Sequence, residues 1–539
     1  MGFLDKLLAR VGLEKTGKRS YDGARMGKLL SDWTANDTSP DEEIRNDLRL
    51  LRLRSRDLER NNDYARRFFT ELETNVFGHA GMSLQMNVRN ADASDKEPLG
   101  TVDNFANRVI EEAWWKWTQP ANCLTSGDTH FQDASRLSLR TCARDGFPII
   151  RIVRNFPHNP FRFALQLIEP DCLDHNYCAT LNNGNSVKNG VEVDSWGRKV
   201  AYHLFTKPMN GYAQSGVREA IPADQIIMPF MRERIGQAVG TPWLASAITR
   251  LRHLGEWERA AVAHARAGAC QMGFFENPQT SEEFTGERDN TGVNIDAAPL
   301  QFTDLPVGKK FVAFNPAYPS GEYDMFRKGT LKGIAAGMCS VAYHTLAQDL
   351  EGANYSSMRA GVLTEREIWM LLQGWWIRDV NEIIFREWLS MALLTGQIPN
   401  LPFSKFDKFN SPIFRGRRWK WVDPLKDITA TIMAINNGLS SWTEEINAGG
   451  GDSAEVFSQL ARDIEAQRAA GIIMQDPKLA PTLVTDAEDP AAQDQQTAKA
   501  IARLADGPHV VGTLTTAEIR ALKGVTTEQI EKILARVLS

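Results

Sequence analysis

Apolar residues first recur with a clear period just after residue 40. Ile44, Leu48, Leu51, Leu58, Ala65, Phe68, Leu72 and Val76 lie three, four or seven positions apart, which places them on one face of an α-helix. Ser39 suits the N-cap, Pro40 the first turn, and Glu42 the return half of a capping box; Gly78 supplies the stop. The pattern therefore predicts one helix over 40–77. The stretch before it, 20–38, is polar and weakly periodic and reads as an extended arm. Two more helices are predicted over 102–118 and 129–145, the second ended by Gly146-Phe147-Pro148. The period then changes to strands: PIIRIVRN, FRFALQLIEP and a hairpin, GVEVDSWGRKVAYHLFT, turning at Asp194-Ser195-Trp196-Gly197. The first 235 residues thus read as an α+β domain.

Helices return at Thr241-Pro242, and the segment to Cys270 is rich in alanine, which lets neighbouring helices approach closely. Pro278, Pro306, Pro316 and Pro319 then bracket a compact excursion around the short strand KKFVAF. A helix follows over 322–339 and a longer one over 355–395. The latter would extend roughly 60 Å if straight, with Gly361 and Gly374 as weak points. A helical region at 425–470 precedes a Pro-, Asp-, Gln- and Ala-rich linker at 475–500 and two short capped helices near Thr515 and Thr526. No long-period repeat is visible.

Composition narrows the classes. The chain has 539 residues, 42% of them hydrophobic, enough for a large core and three or four structural regions. A formal charge of −5 argues against a tight DNA clamp but not against a conduit through which DNA slides. No apolar run is long enough to span a membrane, and the amphipathic N-terminus lacks a signal-peptide cleavage pattern. Six cysteines indicate a reducing compartment. Fourteen tryptophans, several paired or closely spaced, suit large packed surfaces or subunit contacts. Arg45, Arg49, Arg52, Arg56 and Arg60 on the first helix read as a solvated or inter-subunit face paired with nearby acids, with a nucleic-acid stripe as the alternative.

Two motifs could carry catalytic or metal chemistry, and both are incomplete. Gly12 to Lys18 has P-loop spacing, but Arg19 stands where a magnesium-holding Ser or Thr is needed, and no strand precedes it. Cys172, His175 and Cys178 could chelate zinc, but a structural site normally takes four ligands at recognised spacings. No catalytic residue, metal or cofactor is assigned. Paired carboxylates such as Glu111/Glu112 and Glu444/Glu445 are adjacent and read as solvated helix faces.

Several strings, in this order, resemble the lambda-type portal family of tailed bacteriophages. They are RRFFTELETNVFGHAGMSLQ, IEPDCLDHN, GRKVAYHLF, IPADQIIMPFMRERIGQAVGTPWLASAI, ANYSSMRAG and WVDPLKDITATIMAINNGLSSWTEEI, spread over about residues 20–470. The resemblance implies an α+β portal fold: a mixed wing, a helical stem, a small β-containing clip, a long tunnel helix and a helical crown. Carried over by position, it implies an arm over 1–38, a wing over 39–240, stem helices over 241–275 and 322–342, and a clip over 276–321 between them. A tunnel loop would follow over 343–354, the tunnel helix over 355–396, a return to the wing over 397–424 and the crown over 425–474. Residues 475–539 are a linker and helical segment beyond the match.

By the same resemblance the chain is a non-enzymatic homo-oligomer, a ring usually of twelve subunits at one capsid vertex of the virion, assembled in the host cytoplasm. Its partners would be the major capsid protein, the terminase large subunit, the head-tail connector or neck proteins, and double-stranded DNA without sequence readout; no membrane is expected. Lys328 and Lys332, four apart on one helix face, together with His344, Gln348, Asp349, Glu351 and Asn354 in the loop, are the expected channel wall. Lysines paired with acids of an adjacent subunit are the competing reading. Trp369, Trp375, Trp376 and Trp388 are the expected subunit interface, on a helix too long for one subunit to bury. A capsid scaffold without a channel and a nuclease or ATPase in the N-terminal domain remain as alternative functions.

Overall fold

The computed structural model describes residues 37–90, 102–206, 217–269, 273–276, 310–313, 323–338, 341–351, 354–419, 424–449 and 453–469. The chain divides into two units, Met1–Gly450 and Gly451–Ser539. Of the second, one helix is described.

The helix opened by Ser39 is in fact two. α1 (Pro40–Asn61) and α2 (Asp63–Val76) meet at Asn62, whose backbone is extended and whose side chain accepts the Ala65 amide at 3.0 Å. An asparagine in that position satisfies an orphan donor of a new helix, so the break is capped and stable. The apolar period runs through it because Leu58, Ala65, Phe68, Leu72 and Val76 all enter one core. Ile44 and Leu48, at the other end of α1, lie in a second core with the strands.

β1 (Ser83–Met86) leads to α3 (Asn104–Trp117), capped by Asp103, and α4 (Phe131–Asp145). α4 ends at Gly146 with φ +98°; a Cβ there would sit 2.4 Å from the Gly240 carbonyl oxygen, so only glycine fits. β2 (Ile149–Arg154) and β3 (Phe163–Ile168) pair antiparallel as the pattern predicts. β4 (Ala179–Thr180), β5 (Ser186–Lys188), β6 (Val191–Val193), β7 (Lys199–Phe205) and β8 (Arg218–Pro222) form an antiparallel five-stranded sheet in sequence order. β6 and β7 are the predicted hairpin, and β9 (Ile226–Ile227) completes the first sheet beside β2.

α5 (Ile248–Ala269) begins six residues later than Thr241-Pro242 suggested. Residues 243–247 form turns that bury Leu244 and Ala247, and the Trp243 amide donates to the Ala143 carbonyl. Tertiary contacts therefore hold this segment out of the helix. α5 lies antiparallel to α6 (Tyr323–Gly337), as successive contacts show: Ser246 Oγ to the Gly337 carbonyl at 2.7 Å, Arg250 to the Gly333 carbonyl at 3.2 Å, and Trp257 stacked on Tyr323 at 4.7 Å. Beyond that pair, β10 (Gly273–Glu276) and β11 (Lys310–Ala313) form an antiparallel ribbon.

After α7 (Tyr343–Ala347), the long helical run comprises α8 (Tyr355–Trp376), one π turn over Ile377–Asn381, and α9 (Glu382–Leu394). Gly361 and Gly374 lie within α8, and the irregularity falls just beyond them, where the Glu382 amide reaches back to the Ile377 carbonyl. The run is no free-standing rod. α2, α3 and the strands wrap it, and β12 (Pro412–Arg415) returns to pair with β1. Arg417 and Trp419 continue that return through hydrogen bonds to Thr74 and Asn75. α10 (Pro424–Asn436) and α11 (Trp442–Ala448) end the first unit. The second unit shows α12 (Ser453–Ala469). No helix among the described residues is long and apolar enough to cross a membrane.

The arginines of α1 divide. Arg45, Arg49 and Arg60 lie toward the surface, whereas Arg52 is buried, donating to the Asp145 carbonyl at 2.8 Å and to Asp171 at 3.4 Å. Arg56 bonds Asp145, Asp171 and Glu169 within 2.9 Å. Instead of facing solvent or another subunit, these two tie α1 to α4 and to the turn after β3. Burial pulls the Arg52 guanidinium down to about 10, with the charges of Asp171 and Asp145 opposing it.

Candidate functional site

The expected channel residues converge where α6 meets the loop after α7. Lys328 is at the centre. Its ammonium lies 2.7 Å from Asp324 and 2.7 Å from Glu351, and 3.6 Å from Asp349. Asp324 is one helical turn away on the same helix; the other two come from the loop, so the lysine fastens the loop to α6. Asp349 also accepts from the Tyr343 hydroxyl at 2.6 Å and the Glu351 amide at 2.9 Å. These contacts set the charges. Hydrogen bonds donated to Asp324 and then to Glu351 raise the Lys328 pKa, and Tyr343 first, then the Glu351 amide, hold Asp349 low. Burial and the Asp349 bond push Tyr343 up to about 12.

Of the two lysines expected on the channel wall, Lys328 is thus ion-paired within its own chain. Three carboxylates of its own chain surround Lys328, so neither a phosphate nor an adjacent subunit is needed to satisfy it. Lys332 differs: it is exposed, stands 5.5 Å from the Tyr343 ring, and has no ion-pair partner among the described residues.

The remaining loop residues mostly build the turn. Gln348 takes a left-handed backbone, φ +52°, and its amide oxygen accepts from both Arg67 amino groups in the orientation that satisfies them. Asn354 caps α8 by accepting the Ser357 amide at 2.8 Å. His344 lies 3.8 Å from Glu365, whose carboxylate is occupied by the Ala342 amide and the Thr345 hydroxyl. Glu365 thus anchors α7 to α8, a role that the loop-centred reading missed; a lone acid on an apolar helix face was the available signal.

The tryptophan reading also needs correction. Trp369, Trp375, Trp376 and Trp388 are all at least 93% buried inside the chain itself. Trp388 packs 4.9 Å from Trp114, Trp376 edge-on to Phe77 at 5.9 Å, and Trp375 beside Trp243 at 6.3 Å. The elements wrapped around the long run supply the burial that the sequence pattern left to a neighbour. The apolar groups that do face outward lie elsewhere, including Met325 and Phe326 on α6, Leu350 in the loop and Leu371 on α8.

Neither incomplete motif gains support. Cys172 is buried, Cys178 contacts Asn189, and no group of three or more possible metal ligands occurs among the described residues. Gly12 to Lys18 lies outside the described residues.

The described residues of the first unit form an α+β body gathered around a long helix, with an antiparallel helix pair leading to a β ribbon. The lambda family of phage portal proteins matches residues 26–373, and the chain belongs to that family. It is 32% identical over 471 residues to a protein of Halomonas phage phiHAP-1 described as "Probable portal protein", covering 85% of this chain and 89% of that one. Portal protein B of Escherichia phage lambda is 20% identical over 494 residues, covering 84% and 90% of the two chains. Among solved structures, a chain in the neck of an empty gene transfer agent particle, computed with C6 symmetry, aligns with a TM-score of 0.37 at 13% identity, over 79% of this chain and 98% of that one.

Proposed function

We propose that the chain assembles into a closed ring at one capsid vertex and forms the channel through which double-stranded DNA is packaged and ejected. The observation that carries this reading is the stalk, α5 and α6 antiparallel and prolonged by the β10–β11 ribbon, in a chain that belongs to the portal family. A two-helix stalk ending in a ribbon stacks side by side around an axis, with a different surface on each flank, as a cyclic head-to-tail ring requires. On this reading the stalk helices are the stem and the excursion over 276–321 is the clip. The body of α1–α4 and β1–β9, with β12, is the wing; α8 and α9 are the tunnel helix, and the crown lies within 425–474. Twelve subunits, a terminase large subunit at the clip during packaging, neck proteins there afterwards, and the major capsid protein around the wing complete the proposal. The chain itself does no chemistry; packaging energy comes from the motor.

The channel wall in this reading is loosely charged. Lys328, Arg327 and Lys332 are offset by Asp324, Asp349 and Glu351, so the region is near neutrality and DNA would be steadied without being held. Base readout is not expected, because the loop presents no set of bidentate donors and acceptors. Deleting 276–321 tests the assignment: rings should still form while terminase docking is lost. Docking that survives the deletion would refute the clip assignment.

A further inference from the structure

Residues 232–237 fold back beside the β6–β7 hairpin and enclose a groove of about 640 Å³. Its charge is one-sided: Lys188, Arg198, Lys199, Arg232 and Arg234 line it against a single acid, Glu233. Arg234 is engaged with Glu43 at 2.9 Å. The other four cations have no ion-pair partner among the described residues.

Lys199 is the most informative. Its ammonium stands 5.1 Å from the Phe230 ring centre and 5.5 Å from that of Tyr202, faces that attract a cation without neutralising it. Burial and then the Arg232 charge push its pKa down to about 8, with Asp379 opposing. A second unsatisfied group lies in the same wall. Gln237 is 95% buried; its amide oxygen accepts from the Glu233 and Arg234 amides at 2.9 and 3.3 Å, but its Nε2 has no acceptor. Two apolar side chains stand open beside these charges: Ile235, fully exposed in the lining, and Trp196, 89% exposed and adjacent in sequence to the lining residue Gly197.

A partly buried cation without an ion pair lowers stability, and an anionic acceptor in the groove relieves it. We propose that this groove binds an acidic peptide segment of a partner protein, with carboxylates at Lys199, Arg198 and Arg232 and an apolar side chain against Ile235 and Trp196. Duplex DNA would satisfy the charges but offers its phosphate backbone no use for the two apolar groups, whereas tryptophan and arginine together typify protein contact centres. The inference is independent of the channel, because none of these residues belongs to the stem or its loop.

Fluorescence anisotropy on the full chain tests it, with a labelled peptide of alternating glutamate and leucine, its glutamine counterpart, and labelled duplex DNA. The glutamate peptide should bind and the glutamine peptide should not. Arg232→Glu and Arg198→Glu, both at exposed positions, should each weaken binding roughly tenfold or more. Lys199→Met should also lose binding while the melting temperature holds or rises, because an apolar side chain replaces an unpaired charge. Undetectable peptide binding, or binding unchanged in Arg232→Glu and Lys199→Met, overturns the proposal. So does a Lys199→Met variant that melts lower yet still binds, which would make the lysine structural. Tighter binding of DNA, lost in the same variants, would reassign the groove to phosphate.

Discussion

Arg52 shows how much of this molecule turns on single charged residues inside the wrapping. Its side chain is 2% exposed, lies over Phe147 at 4.6 Å and meets Asp171 and the end of α4. Arg52→Ala should cost about 3 kcal/mol by leaving these partners without their donor, whereas Arg52→Met, which refills the space with apolar atoms, should cost less. Urea unfolding of the two variants distinguishes a buried tie from a surface charge. The same network predicts an acid limb. Burial opposes ionisation of Asp171, but the Arg56 bond and charge, then Arg52, outweigh it and hold its pKa below the ordinary value. A carboxylate depressed on folding contributes stability that is complete above its unfolded pKa, about 3.9, and is lost as pH falls through the lower folded value. Arg56→Gln should flatten that limb in melting temperatures taken across acidic pH. On α6, Lys332 and Lys328 lead to separate predictions. Lys332→Glu should leave rings normal and impair DNA retention. Lys328→Met should instead loosen the loop, seen as faster amide exchange at 348–351. Normal retention in Lys332→Glu would remove that residue from the channel wall.

At the scale of elements, the sequence was most legible where one face alone decides the structure. The periods of α3, α4 and the β6–β7 hairpin are local, and these elements sit where the alternation puts them, within a residue or two at the ends. It was least legible where a distant partner decides. A capping asparagine splits α1 from α2 without disturbing the apolar period, and the turns at 243–247 are held by contacts with the end of α4. A helical period also says which face is apolar but not what covers it. That is why Trp375, Trp376 and Trp388 looked like surface for a neighbour, although α2, α3 and the strands already cover them. The candidate site shares this limit: the i to i+4 spacing of Lys328 and Lys332 and the loop acids Asp349 and Glu351 were visible, but the pairing of those acids with Lys328 alone was not. Trp388→Ala provides the check. As a core residue beside Trp114, Trp117 and Phe385 it should cost about 3–5 kcal/mol and lower the melting temperature of the chain itself. Loss of ring formation with unchanged melting would return it to the interface.

At the scale of the whole molecule, the proposed ring must be sealed by surfaces other than those tryptophans. Met325 and Phe326 on α6, exposed at 76% and 55%, lie on the stalk, and Leu350 lies in the loop that Lys328 fastens to it. Apolar groups on adjoining elements that the chain leaves open suit contacts between stalks. In the proposed ring, stalks would pack side by side and the tied loops would present a balanced surface to the axis. The proposed channel depends on closure of the ring. Negative-stain imaging of the purified full-length protein, with its mass measured at micromolar concentration, tests that most directly. Closed rings with a central hole, twelvefold or close to it, are expected; monomers alone, or assemblies without a hole, would contradict the proposed channel.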